Sequence, residues 1–152
     1  MIKKLAAFGG LMILLSIGLW YSEHQLSQTR GSYWEASPAF SYFSMTLRGE
    51  EGQLAIVDAP FNVKQQERYS WFFWKDPQSM FGKTFQVNGI NWKSGKSHLL
   101  YEGAIGVPNR NIGGVSRAAR AFSTFSLPTK GLWKLEAVVD GKLVGSIVVE
   151  VK

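Results

Sequence analysis

The chain has 152 residues, 45% of them apolar and 14% aromatic, which is enough to bury a core and too apolar for wholesale disorder. Seventeen Lys and Arg against eleven Asp and Glu give a net charge of +6, a balance that favours anionic partners. With no cysteine anywhere, structural disulfides, thiolate metal sites, thiol catalysis and lipid attachment at a cysteine are all excluded.

Lys3 and Lys4 precede residues 5–21, seventeen uncharged residues rich in Leu, Ile, Met and Phe and closed by Trp20 and Tyr21. This run reads as an N-terminal hydrophobic helix that acts as an export signal. At about 1.5 Å per residue it covers roughly 25 Å, a little short of the ~30 Å hydrocarbon core, so a cleaved signal peptide and an uncleaved signal-anchor both stay open. The terminal aromatic pair fits an interfacial anchor, and lysines before the span place the N-terminus inside and the remainder outside. The expectation is a single-pass protein of the cell membrane, secreted if the leader is cleaved. Residues 22–37 turn to Ser, Gln, Glu, His, Thr, Arg and Gly and read as a polar juxtamembrane spacer, with the folded domain spanning 38–152.

Turn signals then recur about every ten residues. Residues 40–48 (FSYFSMTLR) and 53–58 (QLAIVD) flank a Gly-Glu-Glu-Gly turn as a hairpin, and 68–75 (RYSWFFWK) is the most aromatic strand. Residues 84–92 (TFQVNGINW), 98–102 (HLLYE) and 121–127 follow, the last two separated by a glycine-rich connector. Counting the C-terminal hairpin, the pattern predicts seven or eight strands and no amphipathic helix. That is an all-β chain, and its size favours an immunoglobulin-like antiparallel sandwich.

The C-terminal hairpin gives the sharpest expectation. Trp133, Leu135, Ala137 and Val139 alternate with polar positions, as do Leu143, Ile147, Val149 and Val151. A two-residue Asp140-Gly141 loop pairs odd positions with even ones and puts the two apolar sets on opposite faces. A three-residue loop, Val139-Asp140-Gly141, avoids this, predicting Ala137 opposite Leu143 and Trp133 opposite Ile147.

Several of these segments, RYSWFFWKD, FQVNGINWKSGK, the VPN of the connector and above all LPTKGLWKLEAVVDGKLVGSIVVEVK, resemble a family of uncharacterised immunoglobulin-like domains from the cell envelope of spore-forming Gram-positive bacteria. The resemblance covers roughly residues 55–152. It implies a fold and an envelope location, with no activity attached. Members of that family are secreted or lipid-anchored, and lipid anchoring needs a cysteine near Gly18, where Leu19 stands; attachment here falls to the hydrophobic span.

Catalytic signatures are weak. His24 and His98 stand alone, without an H-x-x-x-H or a carboxylate cluster, so no metal site is expected. The stretch 114–118 (GVSRA) lacks the final glycine of a nucleophile elbow and follows no clear strand. Glycines 103, 106, 113 and 114 fit neither a dinucleotide fingerprint nor a P-loop. Adjacent Glu50 and Glu51 point to opposite faces of any strand and make no acid/base pair. The sequence predicts no catalysis and no cofactor.

Two features carry the candidate binding residues. In the aromatic strand Tyr69, Trp71 and Phe73 share one face and Phe72 and Trp74 the other. The first set is expected to fill the core, with Trp71 as the buried strand-C tryptophan. The second set is either covered by Trp34, Phe40 or Phe43, or left open as a patch for a protein strand or sugar ring. The connector 103–120 carries Arg110, Arg117 and Arg120 and no acid, reading either as a solubilising loop or as an anion-recognition loop. Residues 22–152 keep a net +4, which outside a bacterium favours anionic wall polymers or lipid headgroups. Nucleic acid is not an expected partner. The leading expectation is a membrane-tethered extracytoplasmic binding module, with an inhibitor or accessory subunit of an extracytoplasmic enzyme as the alternative.

Overall fold

Alternation of apolar and polar residues builds two antiparallel sheets that share one core. The computed structural model describes residues 34–106 and 118–152. In chain order the elements are β1 (Ala39–Tyr42), β2 (Met45–Glu50), β3 (Leu54–Val57), β4 (Glu67–Phe73), a single helical turn α1 (Pro77–Met80), β5 (Thr84–Asn91), β6 (Ser97–Ala104), β7 (Ala119–Phe125), β8 (Gly131–Val139) and β9 (Lys142–Val151). The first sheet has the order β1-β2-β3-β4-β7 and the second β6-β5-β8-β9. The all-β antiparallel sandwich is thus observed, with nine strands among the described residues rather than seven or eight. The extra strand arises at Phe43, whose φ of 52° reverses the chain and pairs Tyr42 with Met45, splitting the predicted 40–48 strand in two.

The expected hydrophobic helix at 5–21 and residues 22–33 of the spacer lie outside the described residues. Among the described residues no helix is long and apolar enough to cross a membrane.

The core sits between the sheets. Tyr69, Trp71 and Phe73 of β4 meet Phe85 and Val87 of β5, Trp133 and Leu135 of β8, and Ile147 and Val149 of β9. The rings of Trp71 and Phe73 approach Phe85 edge-on at 5.6 and 5.5 Å, the arrangement favoured by aromatic quadrupoles. Burying an indole requires a partner for its N–H. Trp71 Nε1 donates to Ser123 Oγ at 2.7 Å, and Trp133 Nε1 to the Thr129 carbonyl at 2.9 Å. Trp71 is buried as expected, but β4 pairs with β3 and β7 and not with the terminal hairpin, so it does not take the strand-C role.

The terminal hairpin corrects the predicted register. Its loop has two residues, Asp140 at φ 46° and Gly141 at φ 76°, and the positive φ at both central positions is the type I′ signature of Asp-Gly. Near the turn odd pairs with even, Val138 with Leu143, and Leu143 is left 61% exposed. A bulge between Ala137 and Val138 then leaves Val144 as an extra residue on β9, so Ala137 pairs with Gly145, Leu135 with Ile147 and Trp133 with Val149. Odd therefore meets odd through the body of the hairpin, as burial of both apolar sets demands, but the adjustment lies in the strand and not in the loop.

Edge strand β9 is shielded by other parts of the chain. Ser37 exchanges hydrogen bonds with Val148, its N–H donating to the Val148 carbonyl and its Oγ accepting from the Val148 amide, both at 2.9 Å. Phe61 and Val63 bond Lys152 at 2.9 and 3.0 Å. An edge so occupied offers little backbone to a foreign strand.

Candidate functional site

On β4 the residues alternating with the core set point away from it, onto the outer face of the first sheet. Phe72 and Trp74 lie here with Leu47, Ala55 and Ala118, forming a second apolar cluster with Phe40, Tyr42, Met45 and Val57 packed against it. The β1–β2 hairpin curls back over this face: the Tyr42 ring meets Phe72 at 5.7 Å and Trp74 at 5.3 Å, both edge-on, and Phe40 lies 6.4 Å from Trp74. Buried Gly49 permits the bend. Its φ of 141° and the 2.8 Å that would separate an added Cβ from the Ala55 Cα leave no room for a side chain.

Of the residues expected to cover Phe72 and Trp74, Phe40 does so. Phe43 does not, standing 89% exposed at the hairpin tip, and Trp34 packs on the second sheet, 5.2 Å from Trp92 and under the Lys134 ammonium at 4.4 Å. Phe72 itself is only 2% exposed, which corrects its reading as an open binding residue; Trp74 is half-buried. Sequence inspection missed Tyr42 because residues 40–48 read as one strand and no turn was assigned at Phe43.

Arg120 is not in an irregular connector. It is the second residue of β7, directly opposite Phe72 in the β4–β7 register. Its guanidinium carbon lies 4.9 Å over the Phe72 ring and 5.6 Å from Phe122, while that of Arg68 lies 4.2 Å over Phe122. Phe122 is 40% exposed and both arginines are exposed. Sequence reasoning missed Arg68 and Phe122, although their spacing from Phe72 and Arg120 in steps of two and four already placed them on one face. Arg110 and Arg117 lie outside the described residues.

The strand positions of this face, from β1 to β7, hold no carboxylate. The ion pair of the first sheet lies elsewhere: Arg48 Nε donates to Asp58 at 2.8 Å, and its Nη1 reaches the Ser37 carbonyl. Among the described residues no group of three His, Cys, Asp or Glu is placed to hold a metal ion. Among the described residues the altered proton affinity is at Tyr69, stacked on Phe61 at 4.8 Å and tilted against Phe125 at 4.6 Å; burial, with the Glu67 carboxylate beside it, pushes its hydroxyl up to about 12. That raises an already weak acid and gives it no role near neutrality.

The fold and this face together define an all-β two-sheet sandwich bearing a basic, aromatic outer surface. The chain belongs to the family of the domain of unknown function DUF4871, whose model matches residues 21–149. It is similar in fold to the X-ray crystal structure of a "putative lipoprotein from Bacillus anthracis", with a TM-score of 0.62 and 22% identity over 84% of this chain and 92% of that one. The expected resemblance to envelope domains of spore-formers thus holds. None of the curated proteins matches the chain.

Proposed function

We propose that the protein is a membrane-tethered, extracytoplasmic binding module of the bacterial cell envelope, without catalysis, and that it recognises anionic wall polymer on the outer face of its first sheet. The observation that carries this reading is the placement of the Arg120 guanidinium on Phe72, 4.9 Å above the ring, on a face whose outward strand positions hold no carboxylate. An aromatic shelf fixes the planar fork without occupying its N–H donors, which leaves them for phosphate or carboxylate oxygens.

The fold supports a recognition role by analogy only. The order β3-β4-β7 in one sheet and β6-β5-β8-β9 in the other supports reading the sandwich as immunoglobulin-like, with β6 in the sheet of the terminal hairpin. The similar fold of a putative lipoprotein agrees with an envelope address. In this chain the tether is assigned to residues 5–21, because it has no cysteine to carry a lipid.

The test is retention of the full chain, held in non-ionic detergent, on isolated wall material before and after removal of its anionic polymers. Retention lost with the polymers, and lost from untreated walls on Arg120→Ser, is the expected result. Equal retention on stripped walls contradicts the polymer assignment, and recovery of a stoichiometric protein partner instead favours the accessory-subunit alternative.

A further inference from the structure

We infer that Arg68, Phe122 and Arg120 form a two-point clamp for a phosphodiester chain, in which two phosphates sit on the two guanidinium forks and the uncharged segment between them rests against the exposed part of the Phe122 ring. This deepens the proposed function and rests on it. The two guanidinium carbons lie 4.2 and 5.6 Å from the same ring centroid. Two like charges are thereby held within about 10 Å of each other, an arrangement whose repulsion a bound polyanion relieves. Neither arginine forms an ion pair or hydrogen bond among the described residues, in contrast to Arg48, whose fork is spent on Asp58 and the Ser37 carbonyl. Both side chains are instead parked on aromatic faces with their donors open to solvent.

The pattern across the face is charge, apolar ring, charge. Arg68 lies beside Thr124, Ser70 beside Phe122, and Phe72 beside Arg120, so the three functional groups run obliquely across the β4–β7 pair. A polyol-phosphate chain, with its short carbon segments between phosphates, has the same alternation. A single phosphate uses one fork and gains nothing from the second, so the clamp selects for chain length. Phosphate also suits the guanidinium geometry, accepting two parallel N–H bonds at each fork.

The experiment measures affinity of the full chain in non-ionic detergent for poly(glycerol phosphate), glycerol 1-phosphate and poly-glutamate at low salt. The wild type should prefer the phosphodiester chain to both other probes. Arg68→Ser and Arg120→Ser should each weaken it by about tenfold, as expected for loss of one charge-assisted contact. Each should also lower the slope of log affinity against log salt by about 0.7 to 0.9. Arg68→Lys, which keeps the charge and loses the fork, should fall between. Lys142→Ser, on the edge strand of the second sheet, should stay within twofold. All variants should stay folded, with cooperative thermal transitions lowered by no more than a few degrees, as loss of one exposed cation–π contact implies.

If Arg68→Ser is within twofold of wild type while Arg120→Ser is weakened, the clamp is wrong and the broader reading survives. Equal loss from Lys142→Ser means diffuse charge and overturns the clamp as well. Tighter binding to poly-glutamate overturns the phosphate assignment. A wild type that binds none of the probes takes the underlying function down with it.

Discussion

Arg120 and Phe72 are direct cross-strand partners on β7 and β4, with the guanidinium carbon 4.9 Å from the ring centroid. The pairing joins what the sequence presents as two separate features, an aromatic strand and an arginine-bearing connector. It also divides their labour. Phe72 is a buried shelf and Arg120 the exposed group upon it.

That division predicts unequal losses of stability. Phe72→Ala empties a buried aromatic site and should cost about 3–5 kcal/mol, whereas Arg120→Ala removes an exposed cation–π contact and should cost about 0.5–1 kcal/mol. Urea unfolding midpoints of the two variants measure this directly. Similar small losses for both would mean that Phe72 is not part of the packed structure.

The hydrogen bond from Trp71 to Ser123 makes a second prediction. Ser123→Ala leaves the Trp71 N–H buried without an acceptor, and desolvation of that donor should cost about 1–3 kcal/mol despite the loss of only one oxygen. Denaturant titration gives the value, and a change within error of zero would show that the indole finds another partner.

Alkaline pH should act through Tyr69. Its hydroxyl is raised from the ordinary 10.0 to about 12 by burial and then by Glu67. The folded chain therefore holds this proton more tightly than the unfolded chain, so its contribution to stability is complete below pH 10 and is lost as pH rises towards about 12. Melting temperatures followed across that interval should fall, and Tyr69→Phe should remove part of the fall. A Tyr69→Phe variant with the same alkaline profile as wild type would contradict the assignment.

The hairpin register can be trapped covalently, since the chain has no native thiol to interfere. Glu136 faces Ser146 across β8 and β9. Glu136→Cys with Ser146→Cys should oxidise to an intramolecular disulfide, because directly opposed strand residues fall within bridging distance. Mass spectrometry after mild oxidation decides it. Efficient bridging of Glu136→Cys with Gly145→Cys would instead support the unbulged pairing, which continues the Val138–Leu143 register past the turn.

Much of this architecture was legible. Period-two patterning located the strands within a few residues, and the core set on β4 followed from alternation alone, because one face of each strand must leave water. The failures have specific causes. At 40–48 the reversal depends on Phe43 accepting a positive φ, which Gly and Asn advertise and phenylalanine does not. In the terminal hairpin the parity argument was sound, yet Val144 absorbed the mismatch as a bulge, a choice that no local residue announces. At the candidate site, Arg120 read as part of a loop because β7 begins with the small residue Ala119; its pairing with Phe72 is a long-range contact, invisible to spacing along the chain.

The most direct check on an envelope-polymer role for the outer face is the salt dependence of wall binding by the full chain and by Arg120→Ser. The account predicts wild-type binding that weakens steeply with added salt and an Arg120→Ser variant that binds more weakly with a shallower slope. Superimposable curves for the two proteins would contradict it.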